Sequence, residues 1–469
     1  VAVFEPAQGY DAPLSPLGER AVAAEPRALA RAEDGAVIVV SGAGARLTRL
    51  SGDELNPGRS VRLARDPRDI VRGRDGALFV SHMVGASITR VDPSLSEAKR
   101  ISVGLTAASP FAPPVSRSRS GGQGYSLATI TTGERERLLA PMVSVDPGDS
   151  QRPLATYYGP RDDGIAKHMP TVVSVETQTS ELLTPGLVAT AIVTHESAAF
   201  AACLGIDAVL ELDATSRDPM ATERRRFSVP AGPTALAIEP GRLLVFSQFS
   251  GILSSIPLAA SSEPDAIALE YRPTKDVAQL AEGRLLFHRT DDARIADDGL
   301  ACASCHPEGR DDSLSWTTPE GLRQTLPLAG RIRDTAPYGW LGQQSTPLAY
   351  VRNTVGRLGG KGLGPAELEA IVTYVETAAP PPTDVPDAAL VARGERLFYS
   401  EQLACGSCHV QGGGTDGRHH RFGMSEHEFD TPSLRNVSLS APYFHDGRYA
   451  SLEDLLADRR SSMSETHQL

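Results

Sequence analysis

The stretch Leu300-Ala-Cys302-Ala-Ser-Cys305-His306 returns further along the chain as Leu403-Ala-Cys405-Gly-Ser-Cys408-His409. Each copy contains Cys-x-x-Cys-His, the pattern typical of covalent attachment of a c-type haem. Two cysteines at this spacing on a short helix can form thioethers to the vinyl groups of one haem, and the next histidine can ligate the iron. The sequence therefore predicts two covalently bound haems c. His306 and His409 are the expected proximal iron ligands.

Paired Cys-x-x-Cys motifs also occur in zinc sites and in redox-active dithiols. Zinc ribbons typically separate their two pairs by about 15 to 20 residues, far fewer than lie between Cys305 and Cys405. Neither alternative explains a histidine directly after each pair, so the spacing favours haem. Covalent haem attachment in bacteria follows export. We therefore expect a periplasmic protein whose signal peptide has been removed, since the chain opens at Val1 without an apolar leader.

The composition is that of a globular protein with several domains. Of 469 residues, 41% are hydrophobic and 22% are charged. No apolar run reaches the roughly 18 residues that span a bilayer, so we expect no membrane-spanning helix. The net charge of -12 argues against nucleic-acid binding, because phosphate contacts need basic patches.

Four segments in the first 275 residues resemble one another, each with two apolar runs around a turn. They are residues 26–41, 67–82, 188–203 and 233–247. Strand, turn and strand at a period near 40 residues is typical of propeller blades. We therefore predict an N-terminal all-β propeller of about seven blades over residues 1–275, with residues 107–124 as a long loop. A β-sandwich is the alternative.

Four residues occupy the same place at the end of the second run in these repeats: Ser41, His82, Cys203 and Ser247. They could surround one mouth of the propeller. Sulfur and imidazole ligands are also present at Met83, His168, Met169 and His195, so a soft-metal site such as copper is one hypothesis. Scattered polar residues at blade ends are the simpler interpretation.

Helical patterning begins near Val277, where apolar residues recur at three and four positions. A second duplication follows, because similar sequences precede and follow both Cys-x-x-Cys-His motifs. We predict two all-α cytochrome c domains, residues 276–380 and 381–469, joined by a proline-rich extended linker.

The segment from Phe429-Asp-Thr-Pro-Ser-Leu-Arg-Asn436 to Ala441-Pro-Tyr-Phe-His-Asp-Gly447, with the two motifs, resembles the bacterial di-haem cytochrome c peroxidase superfamily. This superfamily includes the enzyme that matures methylamine dehydrogenase by oxidising tryptophans. The resemblance covers about residues 280–469 and implies a peroxidase-like oxidoreductase. Peroxide or a related small oxidant would react at the first haem, and electrons would pass through the second. A small redox protein would be the electron donor or the protein substrate.

The resemblance also implies roles for three residues. Trp340 matches the family's tryptophan between the haems, which assists electron transfer. His445 and Arg435 match residues near the second haem and the domain interface, where they could hydrogen-bond to propionates. Trp316 matches no family position and is expected to be structural.

The sixth iron ligands differ between the two haems. Met463 fits the family's methionine ligand of the second iron, with Met424 and His427 as alternatives. Between Pro307 and Ala404 there is no histidine or methionine. The first haem is therefore either open to peroxide or capped from elsewhere, for example by His168.

Two features depart from the family. Its acidic general base should fall within residues 357–362, which contain no carboxylate. Its calcium site uses backbone oxygens near Ser440 and Pro442 and an asparagine side chain. Gly330 takes the place of that asparagine here, so the case for calcium is weaker, although calcium binding is still possible. A non-catalytic electron carrier, with the propeller as a docking, metal-binding or substrate-binding module, is the alternative function.

Overall fold

The computed structural model describes residues 1–4, 16–52, 54–85, 87–102, 105–106, 118–145, 147–148, 168–174, 188–216, 222–259, 265–268, 275–410, 412–421, 428–458 and 461. No helix within these ranges has the length and apolar character needed to cross a membrane.

The chain begins with a two-stranded sheet and continues into two four-stranded antiparallel meanders. The strands are β1 (Ala2–Phe4) and β2 (Pro16–Glu19), then β3 (Pro26–Arg31), β4 (Val37–Ser41), β5 (Arg46–Ser51) and β6 (Asn56–Arg62), then β7 (Pro67–Arg72), β8 (Leu78–His82), β9 (Ser87–Val91) and β10 (Ala98–Ser102). The first hairpin of each meander turns at an Asp-Gly pair. Gly35 and Gly76 have φ values of 84° and 78° there, a conformation that costs glycine no Cβ clash.

A five-stranded sheet and two further four-stranded meanders follow. Their strands are β11 (Leu105–Thr106), β12 (Ser118–Gly122), β13 (Ala128–Thr132), β14 (Arg135–Val145) and β15 (His168–Ser174), then β16 (Ala189–His195), β17 (Ala198–Cys203), β18 (Ala208–Asp213) and β19 (Glu223–Ser228), then β20 (Pro233–Glu239), β21 (Arg242–Ser247), β22 (Ile252–Pro257) and β23 (Asp265–Ala268). Residues 118–122, which we expected in a long loop, instead form β12 and pair with β14. Residues 107–117 of that expected loop lie outside the described ranges.

Each sheet packs face to face on the next through buried apolar side chains. Leu47 and Val80 join the first two meanders, and Phe200 and Val245 join the last two. Successive packed meanders form a propeller-like β domain. The described ranges contain five sheets of four or five strands, so the number of about seven blades stays a prediction.

The strand ends predicted to be equivalent are equivalent in the structure. Each ends the second strand of its sheet, pairs with the first residue of the preceding strand and is buried. They are Ser41, His82, Cys203 and Ser247.

The rest of the chain is mainly helical, with two short hairpins that correct the all-α expectation. The elements are α1 (Lys275–His288), α2 (Cys302–Cys305), β24 (Ser315–Thr318), β25 (Gly321–Gln324), α3 (Pro347–Arg357), α4 (Pro365–Thr377), α5 (Ala388–Phe398), β26 (His419–Arg421), β27 (Glu428–Asp430) and α6 (Leu452–Ala457). Strands of three or four residues are too short for an alternating pattern to be recognised in sequence. Helices α1 and α4 pack closely, because Gly283 meets the Ala370 backbone where a Cβ atom would clash.

The internal duplication of the helical region is visible in its backbone. A cis peptide bond precedes both Pro337 and Pro442, and each proline leads into a loop closed by an isolated antiparallel bridge. The bridged pairs are Tyr338 with Gln344 and Tyr443 with Tyr449. A hairpin lies between the Cys-x-x-Cys-His motif and this loop in both halves.

The loops after the buried strand ends contact the helical region. After β17, the Gly205 carbonyl accepts a hydrogen bond of 3.0 Å from Thr290 Oγ1. After β21, the Phe249 ring lies 5.0 Å from the His288 ring, centroid to centroid. The strand-end side of the propeller-like domain is therefore covered by the protein's own first haem-motif region.

The same interface holds the first Cys-x-x-Cys-His motif directly. Gln123 Nε2 donates to the carbonyl oxygens of Ala303 and Ser304, at 2.9 and 3.1 Å. These carbonyls belong to helix α2, so a side chain of the β domain fixes the helix that carries both cysteines.

A buried ion network completes this interface. Arg310, four residues after His306, forms ion pairs with Asp66 and Glu25 of the β domain. Both carboxylate oxygens of Asp311 accept hydrogen bonds from the Arg65 guanidinium, Oδ1 at 2.9 Å and Oδ2 at 2.7 Å. Burial alone would raise the pKa of Asp66, but the surrounding guanidinium groups hold it below 3.8. The network therefore joins charges that would be costly to bury alone.

Candidate functional site

The first Cys-x-x-Cys-His motif lines an open cleft. Cys302, Cys305 and His306 face an enclosed volume of about 210 Å³ that opens to solvent, with apolar walls that include Ile332 and Leu358. Two thiols and an imidazole on one apolar wall are the donor set that a covalently attached haem uses.

The second motif lines a similar cleft with an enclosed volume of about 160 Å³. Cys405, Cys408 and His409 face it together with Phe429 and Phe444. All four motif cysteines are free thiols. Each cleft therefore offers two thiols and one imidazole to the same ligand.

In both motif histidines a backbone carbonyl engages Nδ1 and leaves Nε2 available for a metal. The Nδ1 atom of His306 lies 3.2 Å from the Arg310 carbonyl oxygen, and that of His409 lies 2.9 Å from the Gly414 oxygen. A ring that donates its Nδ1–H to a carbonyl keeps its Nε2 lone pair for a metal. Burial lowers the pKa of His306 to about 4 and also lowers that of His409, so both rings stay in the neutral form that ligates metals.

The two clefts share one wall. Its residues are Gln324, Leu326, Arg331, Trp340, Asp430, Pro432 and Ser433. Trp340 is its aromatic member, and the indole Nε1–H donates to the Gln324 carbonyl oxygen at 2.8 Å. The structure thus places Trp340 against both clefts, and its role in electron transfer stays a prediction.

Reciprocal backbone hydrogen bonds hold this wall together. The Gln324 amide donates to the His445 carbonyl oxygen at 2.7 Å, and the Asp430 amide donates to the Trp340 oxygen at 3.0 Å. Each half of the duplication therefore binds the matching loop of the other half. The distance between the clefts is fixed by backbone and not by flexible side chains alone.

His445 lines the second cleft. Its ring stacks on Phe429 with centroids 4.2 Å apart and meets Trp340 edge-on at 6.4 Å. Its Nδ1 is buried without a hydrogen-bond partner among the described residues. Burial lowers the pKa of His445 to about 4, so the ring is neutral at physiological pH.

Arg435 lies at the interface of the two halves, and its predicted contact with propionates stays a prediction. Among the described residues it lines neither cleft. Its guanidinium donates to the carbonyl oxygens of Gly412 and Arg333, at 3.1 and 2.5 Å. It therefore joins the two halves of the helical region.

Sequence reasoning missed two charged residues in the shared wall. Arg331 is buried and donates to the Ser433 carbonyl, and burial lowers its pKa to about 10. Asp430 is also buried, and its Oδ1 has no hydrogen-bond partner within the described ranges. Burial raises the pKa of Asp430 to about 7. Isolated charges in loops leave no periodic signal by which they could have been found.

A carboxylate does reach the first cleft, from an unexpected part of the chain. Glu320 lies in the turn between β24 and β25 and accepts a 3.0 Å hydrogen bond from Thr318 Oγ1. Both of its oxygens are paired with Arg357, one at 3.1 Å. Burial would raise the pKa of Glu320, but Arg357 outweighs it and holds the pKa below 4.5. Residues 357–362 lack a carboxylate, and Glu320 lies beside the first of them.

Two carbonyls in the segment expected to hold calcium are engaged by donors of this chain, and calcium binding stays a prediction. The Ser440 carbonyl accepts a hydrogen bond from Gln324 Nε2 at 3.3 Å. The Ala441 carbonyl accepts from Arg65 Nη1 at 2.5 Å and from Ser313 Oγ at 2.8 Å. Protein N–H and O–H donors, one of them a guanidinium, therefore occupy these oxygens.

The described propeller residues do not support a copper site. Both ring nitrogens of His82 are engaged, Nδ1 with the Arg65 carbonyl at 3.0 Å and Nε2 with Thr89 Oγ1 at 2.7 Å. Burial raises the pKa of the Cys203 thiol to about 12, which disfavours the thiolate that binds metal. The side chains of His168 and Met169 lie outside the described part of the chain.

Two adjoining clefts each offer two free thiols and a histidine whose Nε2 is available, a donor set that suits a covalently attached haem. Residues 388–468 match the di-haem cytochrome c peroxidase family. This match confirms the resemblance for the C-terminal part of the chain, which contains the second Cys-x-x-Cys-His motif, and supports haem as the cofactor.

Comparison with curated protein sequences finds no match. Several solved structures are similar to this chain only at low sequence identity and low TM-score. A streptogramin B lyase is 10% identical, with a TM-score of 0.37 over 54% of this chain and 72% of its own. Hydrazine synthase from Kuenenia stuttgartiensis is 12% identical, with a TM-score of 0.34 over 52% and 87%. Dihydro-heme d1 dehydrogenase NirN is 17% identical, with a TM-score of 0.33 over 54% and 49%.

Proposed function

We propose that this protein is a periplasmic di-haem c oxidoreductase that reduces peroxide, or a related small oxidant, at the first cleft. The electrons enter through the second cleft. The observation that carries the proposal is the wall shared by two Cys-Cys-His clefts, with Trp340 in it. This arrangement suits one site for chemistry and one for electron supply.

Each haem c would be held by its own motif. Cys302 and Cys305 would form the thioethers in the first cleft, as Cys405 and Cys408 would in the second. Haem supplies an iron centre that exchanges electrons and, where one axial position is open, binds small oxidants. His306 and His409 provide the proximal nitrogen, each oriented by a backbone carbonyl.

Glu320 and Arg357 are suited to the acid–base part of peroxide reduction. A carboxylate with a pKa below 4.5 is ionised at neutral pH and can take a proton from a bound hydroperoxide. Arg357 fixes that carboxylate and adds positive charge where negative charge develops. Glu320 would thus serve in place of the carboxylate that residues 357–362 lack.

Trp340 is suited to electron transfer between the clefts. Its indole is held by Gln324 and lies edge-on to His445, which itself lines the second cleft. A small redox protein would deliver the electrons to the second cleft. The strand-end side of the propeller-like domain is already covered by this chain, so that side does not serve as the docking face for a partner.

The proposal is tested by electron paramagnetic resonance (EPR) of the oxidised protein. We expect a high-spin signal from the first site that changes on addition of hydrogen peroxide. With Trp340→Phe we expect the first site still to react, while oxidation of the second site becomes slower in stopped-flow spectra. Two low-spin signals unaffected by peroxide would instead indicate the non-catalytic electron carrier.

The sixth ligand of the second iron is a separate prediction. Met463, Met424 and His427 all lie outside the described residues, and we propose Met463. A Met463→Ala variant should change only the second site's optical and EPR spectrum and lower its reduction potential, because a thioether ligand raises that potential. Met424→Ala is the matched control. An unchanged spectrum with Met463→Ala would show that this assignment is wrong.

A further inference from the structure

Trp316, which matches no family position, lies at the first cleft. It lines the same space as Cys305 and His306 and is 3% exposed. Its neighbours in a buried cluster include Cys305 and, from the β domain, Tyr125. An indole held against a haem-attachment cysteine is placed for electron exchange with whatever oxidant forms in that cleft.

The Trp316 indole has a buried carboxylate as its partner. Its Nε1–H donates to Asp312 Oδ2 at 2.8 Å. The other oxygen of Asp312 accepts from the Leu314 amide at 2.9 Å. In the described ranges no arginine, lysine or histidine forms an ion pair with Asp312, whereas Asp311 beside it is paired with Arg65.

An unpaired buried carboxylate is a good proton acceptor. Burial raises the pKa of Asp312 to about 7. A structural hydrogen bond to a tryptophan needs only a neutral acceptor, and a carbonyl serves this purpose for Trp340. Burying a carboxylate without a cation is costly, so its presence at Trp316 indicates chemistry in which the indole proton moves.

We infer that Trp316 is an oxidisable side chain of the first cleft and that Asp312 takes up its indole proton. The inference rests on the proposed function, because peroxide is the oxidant. Trp316 gives up one electron, its Nε1–H bond breaks, and the proton passes to Asp312 Oδ2. The products are a neutral tryptophanyl radical and a carboxylic acid. One peroxide takes up two electrons and two protons to give two waters. Trp316 supplies one of the electrons, and the reductant entering by the second cleft supplies the other.

The chain's two tryptophans make the experiment decisive. Protein reduced by one electron at the second site and carrying ring-deuterated tryptophan is mixed with one equivalent of hydrogen peroxide and freeze-quenched for EPR. We expect a radical signal whose hyperfine pattern changes with the label. The signal should disappear in Trp316→Phe and persist in the matched control Trp340→Phe. In Asp312→Asn, whose amide cannot take up the proton, the radical yield should fall.

A labelled radical that survives in Trp316→Phe, or no tryptophan radical in the parent protein, overturns the inference. The resting spectrum of Trp316→Phe shows independently whether the first site is intact. If peroxide leaves the first site's signal unchanged, the proposed function fails. Photo-oxidation of the holoprotein by a soluble ruthenium(III) complex then tests separately whether Trp316 is oxidised. The radical signal should again disappear in Trp316→Phe and persist in Trp340→Phe.

Discussion

A Glu320→Gln variant is expected to react with hydrogen peroxide roughly 100 times more slowly than the parent protein, or slower still, because general acid–base groups contribute about 10²–10⁴-fold. The amide keeps the size of the side chain and its contact with Arg357, but it cannot accept the proton of a hydroperoxide. Stopped-flow spectra of the first site against peroxide concentration give the rate constant.

The pH dependence of this reaction is a second measure of the same group. Since the pKa of Glu320 lies below 4.5, the parent rate should stay level through the neutral range and fall only in acid. Glu367→Gln is the matched control, because Glu367 is also paired with an arginine, Arg294, outside the clefts. Equal rates for both variants would remove Glu320 from the acid–base role.

Replacing Asp66 by asparagine is expected to destabilise the folded protein by about 3–5 kcal/mol, the usual cost of removing one member of a buried ion network. Asp66 is 5% exposed and faces Arg65, Arg68 and Arg310. Without it, these guanidinium groups lose a partner in a region from which water is excluded. Urea unfolding of the holoprotein at neutral pH measures the loss.

The sign of the pH effect follows from the direction of the pKa shift. The folded-state pKa of Asp66 lies below 3.8, so its stabilisation is present at neutral pH and is lost as the pH falls through that lowered value. Asp34→Asn is the control, because Asp34 pairs with Arg49 on the exposed surface of the same domain. Exposed pairs contribute about 0–1 kcal/mol. A loss for Asp66→Asn no larger than the control's would mean that the network does not stabilise the interface.

The parts of the fold that repeat in sequence were predictable from it. The Cys-x-x-Cys-His motifs dictate which residues share a cleft, and the structure brings Cys302, Cys305 and His306 together as the spacing requires. The repeated Asp-Gly turns, as at Gly35, set the strand ends of the meanders. Trp340 was recognised because it matches the family's tryptophan between the haems.

The residues missed are those whose partners are distant in sequence. Glu320 meets Arg357 only because the β24–β25 hairpin folds towards the end of α3, and that hairpin is too short to be recognised. The sequence predicts only a structural role for Trp316, because it cannot show that the indole Nε1–H donates to Asp312. The repeats predict that the four buried strand ends, such as Ser41, are equivalent. They carry no information that the helical region packs against the loops after these strands.

The reciprocal hydrogen bonds between the two halves have a consequence for the direction of charge flow. Trp340 and His445 occupy the same position of the duplicated loop, and the backbone carbonyl of each accepts an amide from the opposite half. Under the proposed function, a frame that repeats in its backbone favours neither direction of electron transfer by itself. Here one half offers an indole whose Nε1–H donates to Gln324, and the other an imidazole whose Nδ1 has no hydrogen-bond partner among the described residues. We therefore expect the direction to be set by side chains and iron ligands, which can change while the shared backbone frame is kept.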